Sequence, residues 1–234
     1  LRLIDAAAVG LSARGLTHEI SAYVGMIDKG LANVRKVNRG RPDKKLDDAI
    51  QRIAGAIREL KKTVSSINPL LTGSRSLKDN FYAGDAIRDF LELRSSRLQE
   101  ARMETHLVGG QGPRIRFAPA RFNQLLDNLL QNSIYWVLEH ESTDKKVKRE
   151  INVDCDKSGF VWWDGGKGVR PGLEDSLFDP YVTDKPENRG QGLGLFLVTA
   201  FLDAERCQIS LLPDRNTFGR KYKFRIDLRG AFAK

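Results

Sequence analysis

Three polar or glycine-rich segments, each beside an apolar run, constrain this chain more than any other feature. The first, Leu125–Asn132, has apolar residues at helical spacing and sets Asn128 and Asn132 four residues apart. Residues four apart share one face of a helix, so the two amides should point into the same cavity. The second, Val161–Gly168, is an apolar strand that ends in a carboxylate and a glycine-rich turn, and the third, Gly190–Leu195, is a glycine run before an apolar helix.

The first two segments suit different parts of a nucleotide. An amide oxygen is a hard, neutral donor of the kind that Mg2+ takes when phosphates supply other ligands, so Asn132 is the metal-ligand candidate. A buried Asp164 can accept a hydrogen bond from the exocyclic amine of adenine. Glycines beside it, Gly166 and Gly168, let the base approach the backbone closely. The pattern therefore predicts adenine at Asp164, with Asn128 and Asn132 facing the remainder of the nucleotide.

The third segment suits phosphate. Gly190, Gly192 and Gly194 precede a helix, so they can turn successive backbone N–H groups and the positive helix end toward phosphate oxygens. Lys185 and Arg189, in the charged segment just before this run, can reach the same phosphates, although either can equally be a solvated surface cation. We expect the triphosphate to lie at this helix terminus.

These segments, in this order, resemble the ATP site of the GHKL superfamily, which includes sensor histidine kinases, DNA gyrase B, the MutL repair proteins and the ninety-kilodalton heat-shock chaperone. Leu177–Tyr181 adds a likeness to the phenylalanine box of the kinases. The resemblance implies bound ATP and Mg2+, and an α+β fold of Bergerat type in which three helices cover one mixed sheet. One position departs from the pattern, because Tyr135 stands where histidine kinases commonly carry Lys or Arg. Lys185 or Arg189 is expected to compensate.

The N-terminal part carries a different pattern, an apolar seam with gaps of three and four residues. Its members are Leu16, Ile20, Val24, Ile27, Leu31 and Val34, followed by Leu46, Ile50, Ile53, Ile57, Leu60, Val64 and Ile67. Gly40–Pro42 supplies a turn between the two runs, and Pro69 is expected to end the second. The pattern predicts an antiparallel helical hairpin over residues 1–70. Since one hairpin buries little surface, two copies should form a four-helix bundle and make the protein a homodimer.

His18 lies off the seam of the first helix and should be exposed. The sequence Leu16–Ile20 resembles the phosphoacceptor box of histidine kinases, in which an exposed histidine is followed by an acidic residue. In that interpretation His18 attacks the γ-phosphate and Glu19 orients the ring or accepts its proton. The alternative is an ordinary surface histidine. The family's helix-bending proline is absent, and Ala22 replaces a polar residue that positions water, so phosphatase activity by that route is not expected.

Residues 71–234 are predicted to form the ATP-binding domain. Strands are expected at 76–83, 104–108, 114–118, 151–155, 160–163, 207–212 and 222–228, with helices at 85–102 and 119–137. Between Gly168 and Gly190 the chain has three prolines, many charges and little periodicity, which is typical of a mobile lid. We therefore expect two domains, a helical hairpin and an α/β sandwich.

Composition limits the class of protein. The 234 residues carry a formal charge of +9 and two cysteines without metal or redox spacing. The positive residues are scattered rather than clustered, so no nucleic-acid partner is expected. No apolar run is long enough to span a bilayer and no signal peptide is recognisable, so this segment should make no membrane contact. We expect a cytoplasmic location, which suits the cytoplasmic part of a longer receptor.

The leading hypothesis is an ATP-dependent histidine autokinase that passes phosphate from His18 to an aspartate on the receiver domain of a response regulator. A GHKL ATPase is disfavoured because Asn128 stands where those relatives carry a water-activating glutamate. A pseudokinase, binding ATP or a partner without phosphorylating His18, stays open because of the missing proline, Ala22 and Tyr135. A serine kinase of the same superfamily that acts on a separate protein is a third alternative.

Overall fold

The computed structural model describes residues 23–38, 40, 43–71, 77–186 and 192–233, and for residues 59–71 it describes the backbone alone. The chain divides between Arg75 and Ser76 into two units. His18, Glu19, Arg189 and Gly190, four of the predicted site residues, lie outside the described residues.

The first unit contains a helical hairpin. Residues 23–38 are helical (α1) and Lys44–Leu71 form α2. The two helices share a buried cluster made of Val24, Leu31, Ile50, Ala54 and Ile57. The fold class expected for the N-terminal part is therefore confirmed, with one difference in length. Pro69 removes a backbone donor without stopping α2, which continues to Leu71.

The hairpin turn is held by side-chain caps. The buried Asn38 accepts a hydrogen bond from the backbone N–H of Asp43 through Oδ1, at 2.9 Å. Asp43 in turn accepts the backbone N–H groups of Lys45 and Leu46 at 2.8 and 3.2 Å. These bonds satisfy donors that the first turn of a helix leaves unpaired, and they fix where α2 begins.

The second unit is built on a mixed sheet of five strands, with a separate sheet of two strands. In chain order its elements are β1 Asp79–Tyr82, α3 Ala83–Leu93, α4 Ser95–Glu100, β2 Glu104–Val108, β3 Arg114–Phe117, α5 Pro119–Glu141, β4 Glu150–Asp156, β5 Gly159–Asp164, α6 Gly194–Asp203, β6 Gln208–Leu211 and β7 Phe224–Asp227. The strand order in the larger sheet is β2-β4-β5-β7-β6. Strands β2 and β4 are parallel, and the other neighbours are antiparallel. The two-stranded sheet is the antiparallel pair of β1 and β3.

Helices α3, α5 and α6 supply one side of the core and the sheet supplies the other. In β4 the residues Ile151, Val153 and Cys155 are buried, and the residues between them are more exposed. This alternation means that one face of the sheet packs inward while the other stays accessible. The buried helix residues include Ile87 on α3, Leu125, Leu126 and Leu129 on α5, and Leu197, Val198 and Phe201 on α6. The α+β architecture expected from the sequence is confirmed.

One predicted helix is broken in two. The sequence predicts a single helix over 85–102, but the structure has α3 and α4 with Arg94 between them. Arg94 leaves the helical conformation, and its guanidinium makes two hydrogen bonds, of 3.0 and 2.8 Å, to the carboxylate of Asp127 on α5. This long-range ion pair coincides with the break that local propensity missed. Within the described ranges, no helix has the length and apolar character needed to cross a membrane.

Candidate nucleotide site

One face of α5 carries the residues around which the candidate site is built. Asn128 and Asn132 lie toward the middle of the helix, and Trp136 and His140 follow at the same four-residue spacing. With a rise of 1.5 Å per residue, this stripe extends along about 18 Å of the helix. A single rigid element therefore presents two amides at one end of the site and an aromatic pair at the other.

Asp164, the last residue of β5, lies beside this stripe. Its Oδ1 accepts the backbone N–H of Gly166 at 3.0 Å, and its carboxylate also receives a hydrogen bond from Ser133 on α5. Ser133 is itself buried and accepts the indole N–H of Trp162 at 3.0 Å. Burial raises the pKa of Asp164 to about 6, because its effect is larger than that of the two hydrogen bonds, which lower the pKa. The carboxylate is thus a fixed acceptor that is partly shielded from solvent.

Gly166 and His140 form the wall next to this carboxylate. A Cβ at Gly166 would lie 2.8 Å from Asp164 Oδ1 and 3.3 Å from His140 Nδ1, so no larger residue fits there. His140 Nδ1 accepts the backbone N–H of Lys167 at 3.1 Å, and its ring stacks on Trp136 with centroids 5.3 Å apart. Burial, and then the nearby Lys167, lower the pKa of His140. A neutral imidazole with Nδ1 as the acceptor matches both observations.

Gly168 completes the turn. Its φ of +81° lies in the left-handed region, and a Cβ there would be 2.7 Å from the carbonyl oxygen of Lys221. The Asn216 side chain donates to the carbonyl of Gly166 at 3.3 Å. The turn after Asp164 is therefore held from the C-terminal part of the chain as well as from α5.

The N-terminus of α6 faces the two asparagines. A Cβ at Gly194, the first residue of α6, would lie 3.4 Å from Asn128 Oδ1 and 3.4 Å from Asn132 Nδ2. Leu193, which precedes the helix, provides no side-chain cap. The first-turn N–H groups and the positive end of the helix dipole therefore adjoin the asparagines, an arrangement that suits an anion such as phosphate.

Gly192 ties the approach to α6 to the preceding loop. Its carbonyl accepts the N–H of Tyr181 at 3.0 Å, and its φ is +66°. A Cβ at this position would lie 2.5 Å from the carbonyl carbon of Tyr181. Glycine is thus required here by both conformation and space.

Lys185 enters the site between the amides and the aromatic pair. Its ammonium donates to Asn132 Oδ1 at 3.2 Å, and it lies 4.2 Å from the ring centroid of Tyr135 and 5.9 Å from that of Trp136. Burial lowers the pKa of Lys185. Because Asn132 Oδ1 already accepts a cationic group, its position and chemistry fit a ligand for a metal ion such as Mg2+.

The described part of the segment between Gly168 and α6, residues 169–186, contains neither helix nor strand. It is attached at several points nevertheless. Phe178 packs edge to face on Phe224 with centroids 6.5 Å apart, and Glu174 pairs with Lys221 at 2.6 Å. Tyr181 is 72% exposed. The segment that delivers Lys185 is therefore anchored by its phenylalanine and an ion pair rather than by regular structure.

The predicted site residues that the structure describes fall into two groups along α5. The group that adjoins the α6 terminus comprises Asn128, Asn132, Lys185, Gly192 and Gly194. The group that forms the turn after β5 comprises Asp164, Gly166 and Gly168. Sequence reasoning missed Ser133, His140 and Asn216. The four-residue spacing from Asn132 through Trp136 to His140 is a signal that would have found the histidine, whereas nothing local indicates Asn216.

Comparison with known families identifies the domain that carries this geometry. Residues 118–230 match the family described as histidine kinase-, DNA gyrase B-, and HSP90-like ATPase. This range begins just before α5 and includes the turn after β5 and the α6 terminus. It thus contains every described residue of the site.

Curated relatives are sensor kinases. The chain is 27% identical over 199 residues to the sensor histidine kinase ZraS of Salmonella typhimurium, a match that covers 84% of this chain and 41% of ZraS. It is 24% identical over 206 residues to the sensor protein kinase PilS of Pseudomonas aeruginosa, covering 87% of this chain and 38% of PilS. The chain therefore spans about two fifths of these relatives.

Solved structures share the fold. Full-length ShkA in complex with AMPPNP matches with a TM-score of 0.65 and 19% identity, over 95% of this chain and 46% of ShkA. The Acinetobacter baumannii histidine kinase AdeS matches with a TM-score of 0.51 and 18% identity, over 88% of this chain and 95% of AdeS. These comparisons together support a GHKL histidine kinase catalytic core, in which residues 118–230 match the family of histidine kinase-, DNA gyrase B-, and HSP90-like ATPases.

Proposed function

We propose that this chain is the dimerising and catalytic part of an ATP-dependent sensor histidine kinase of a two-component system. The observation that carries the proposal is the arrangement on α5. Two amides and Lys185 meet the N-terminus of α6 at one end, and a partly buried carboxylate with a glycine turn lies at the other. This geometry suits a nucleotide, with separate places for the base and for the phosphates.

In this proposal Asp164 accepts a hydrogen bond from the adenine amine, and Gly166 and Gly168 leave room for the base. The first-turn N–H groups of α6 and the ammonium of Lys185 bind the phosphate oxygens. Asn132 holds Mg2+, which when bound supplies charge neutralisation across the phosphates. The proposal includes Arg189 and Gly190 as further phosphate contacts, on the sequence pattern alone.

The phosphoryl acceptor in this proposal is His18, in a hairpin domain of residues 1–70, and the catalytic domain comprises residues 71–234. A ring nitrogen of His18 forms a bond to the γ-phosphorus while the bond from that phosphorus to the bridging oxygen of ADP breaks. Glu19 accepts the proton that the ring gives up, and ADP leaves. Such a transfer needs chiefly positioning and charge compensation. The phosphoryl group then passes to an aspartate on a response-regulator receiver domain.

Dimerisation through the hairpin is supported by the apolar residues that α1 and α2 leave uncovered. Two positions of the predicted seam on α1 and two on α2 are 38–47% exposed; they are Ile27, Val34, Leu46 and Ile53. A second hairpin would cover these side chains in a four-helix bundle. Because ATP is the substrate, we propose that the reaction takes place in the cytoplasm.

Hydrolysis of ATP is a poorer proposal. The position that would supply a water-activating carboxylate holds Asn128, whose amide nitrogen donates to the Gln124 carbonyl at 2.8 Å. An amide cannot accept the proton of an attacking water. Phosphoryl transfer to a protein side chain therefore remains the function that the site supports best.

The test is incubation of the purified protein with γ-labelled ATP and Mg2+. We expect an acid-labile, base-stable label that is absent from His18→Ala and reduced at least about 100-fold in Asn132→Ala. Matched controls are His106→Ala, an exposed histidine on β2, and Asn80→Ala, an exposed asparagine on β1; both should label normally. ATP binding without any label on the intact chain would refute autophosphorylation and favour a pseudokinase. An acid-stable label on an added protein would favour a serine kinase.

A further inference from the structure

We infer that Lys185 is a built-in cation that competes with the divalent metal for the side-chain oxygen of Asn132, and so sets how strongly nucleotide binding depends on the metal. The inference rests on the proposed nucleotide site and concerns how that site is regulated. It assigns Lys185 two positions: on Asn132 Oδ1 beside the phosphates when no metal is bound, and displaced from that oxygen toward the rings of Tyr135 and Trp136 when the metal is bound.

The contact with Asn132 is the first observation. The Lys185 ammonium lies 3.2 Å from Asn132 Oδ1, although 53 residues separate the two in the chain. A Mg2+ ion bound to the same oxygen would lie at about 2.1 Å. Two cations on one oxygen repel each other strongly in a site with little water. The metal and the lysine therefore cannot both keep their full interaction with Asn132.

The aromatic neighbours are the second observation. The ammonium lies 4.2 Å from the centroid of Tyr135, well within the range of a cation–π interaction, and 5.9 Å from that of Trp136. Tyr135 occupies the helix position at which the resemblance implied a cation. A ring cannot bind phosphate as a cation does, but it can hold one that comes from another segment. The rings of Tyr135 and Trp136 thus keep Lys185 near the phosphates when it leaves Asn132.

The missing counter-charge is the third observation. Among the residues that the structure describes, no carboxylate forms an ion pair with Lys185, while the neighbouring Asp184 pairs with Arg170 at 2.9 Å. The hydroxyl of Tyr135 is buried and also lacks a hydrogen-bond partner among these residues. The one acceptor that the half-buried ammonium has among the described residues, Asn132 Oδ1, is neutral, so its positive charge is costly unless an anion joins it. Phosphate oxygens would supply that negative charge.

The two states have different consequences for affinity. Without metal, Lys185 supplies positive charge at Asn132 and supports binding of the phosphates. With metal, that contribution is partly lost because the ion takes the same oxygen. Lys185 should therefore make the gain in ATP affinity on adding Mg2+ smaller than it would be with a neutral side chain.

The experiment compares wild type with Lys185→Gln, which removes the charge and keeps a polar side chain. Calorimetric titration measures the affinity for ATP in EDTA, for ATP in Mg2+, and for adenosine. We expect Lys185→Gln to lose about tenfold in ATP affinity in EDTA, and less in Mg2+, with adenosine affinity unchanged. The ratio of the ATP affinity in Mg2+ to the ATP affinity in EDTA should therefore be at least about threefold higher in Lys185→Gln than in wild type.

Lys223→Gln is the matched control. Lys223 also lies over aromatic rings, 5.5 Å from the centroids of Trp163 and Tyr222, and pairs with Asp214. The Lys223→Gln variant should show the same dependence of ATP affinity on Mg2+ as wild type. An unchanged ratio in Lys185→Gln, or an equal loss for adenosine and ATP, would overturn the inference while the nucleotide site stands. Failure of the wild type to bind ATP in either buffer would instead reject the proposed function.

Discussion

Replacement of Asp164 by asparagine should stabilise the nucleotide-free protein at neutral pH while removing its affinity for adenine nucleotides. Asn retains an oxygen for the N–H of Gly166 and can bond Ser133 through its amide, so the local contacts survive. The change removes only the negative charge. Charged groups that function requires away from water commonly lower the stability of the folded protein in this way.

The magnitude follows from the pKa of Asp164, which burial raises from the ordinary 3.8 to about 6. A rise of this size corresponds to about 3 kcal/mol of free energy that the ionised carboxylate costs the folded state at pH 7. Asn also loses the charge-assisted strength of the Gly166 and Ser133 hydrogen bonds. We therefore expect Asp164→Asn to raise the free energy of unfolding by about 1 to 3 kcal/mol at pH 7.

The pH dependence has a definite sign. Since the pKa of Asp164 is higher in the folded than in the unfolded protein, the folded state binds more protons between about pH 4 and pH 6. The wild type therefore gains stability relative to Asp164→Asn as the pH falls through 6 toward 4. The advantage of the variant at pH 7 should be almost gone near pH 4, where the folded-state carboxyl is protonated and the unfolded-state carboxyl has begun to protonate.

Urea unfolding at pH 7, 6, 5 and 4 measures this difference for the two proteins. All three tryptophans, Trp136, Trp162 and Trp163, lie in the second unit, so their fluorescence reports unfolding of that unit. Other titrating groups contribute equally to both proteins and cancel in the comparison. A variant less stable than wild type at pH 7, or a difference independent of pH, would refute the account of Asp164 as a carboxylate destabilised by burial.

Three further substitutions test other parts of the structure. Ser133→Ala leaves the buried indole N–H of Trp162 without its acceptor and should lower the free energy of unfolding by about 1–3 kcal/mol in urea titrations; no loss would contradict that bond. Gly194→Ala places a methyl group against the two amides and should reduce ATP affinity at least about tenfold in calorimetry with little change in thermal stability, whereas unaltered binding would remove the α6 terminus from the site. Ile53→Glu puts a charge on the uncovered seam and should convert a dimer to a monomer in analytical ultracentrifugation, with the exposed Arg52→Glu as control; a persistent dimer would place the interface elsewhere.

Much of the catalytic fold could be predicted from local patterns. The four-residue spacing of Asn128 and Asn132 requires only that the segment be helical for both amides to share a face. The left-handed conformations at Gly168 and Gly192 likewise match positions where the sequence already offers glycine. Strand alternation and the apolar runs before each turn were sufficient for the α+β class and for most element positions.

Boundaries were less predictable where distant residues decide them. The break between α3 and α4 accompanies the pairing of Arg94 with Asp127, 33 residues away, and no helix propensity in the segment signals it.

The roles of His18 and Glu19 stay predictions, since both lie outside the described residues.

The sequence by itself determined which chemical groups are available to the site, because asparagine spacing and glycine placement act through local backbone geometry. Only the tertiary structure decided how those groups are tuned. It brought Lys185 to Asn132 and Tyr135, set His140 against the turn after Asp164, and buried that carboxylate enough to raise its pKa. Charge, burial and cation–π contacts depend on neighbours far apart in the chain, so they are properties of the packed fold rather than of any segment.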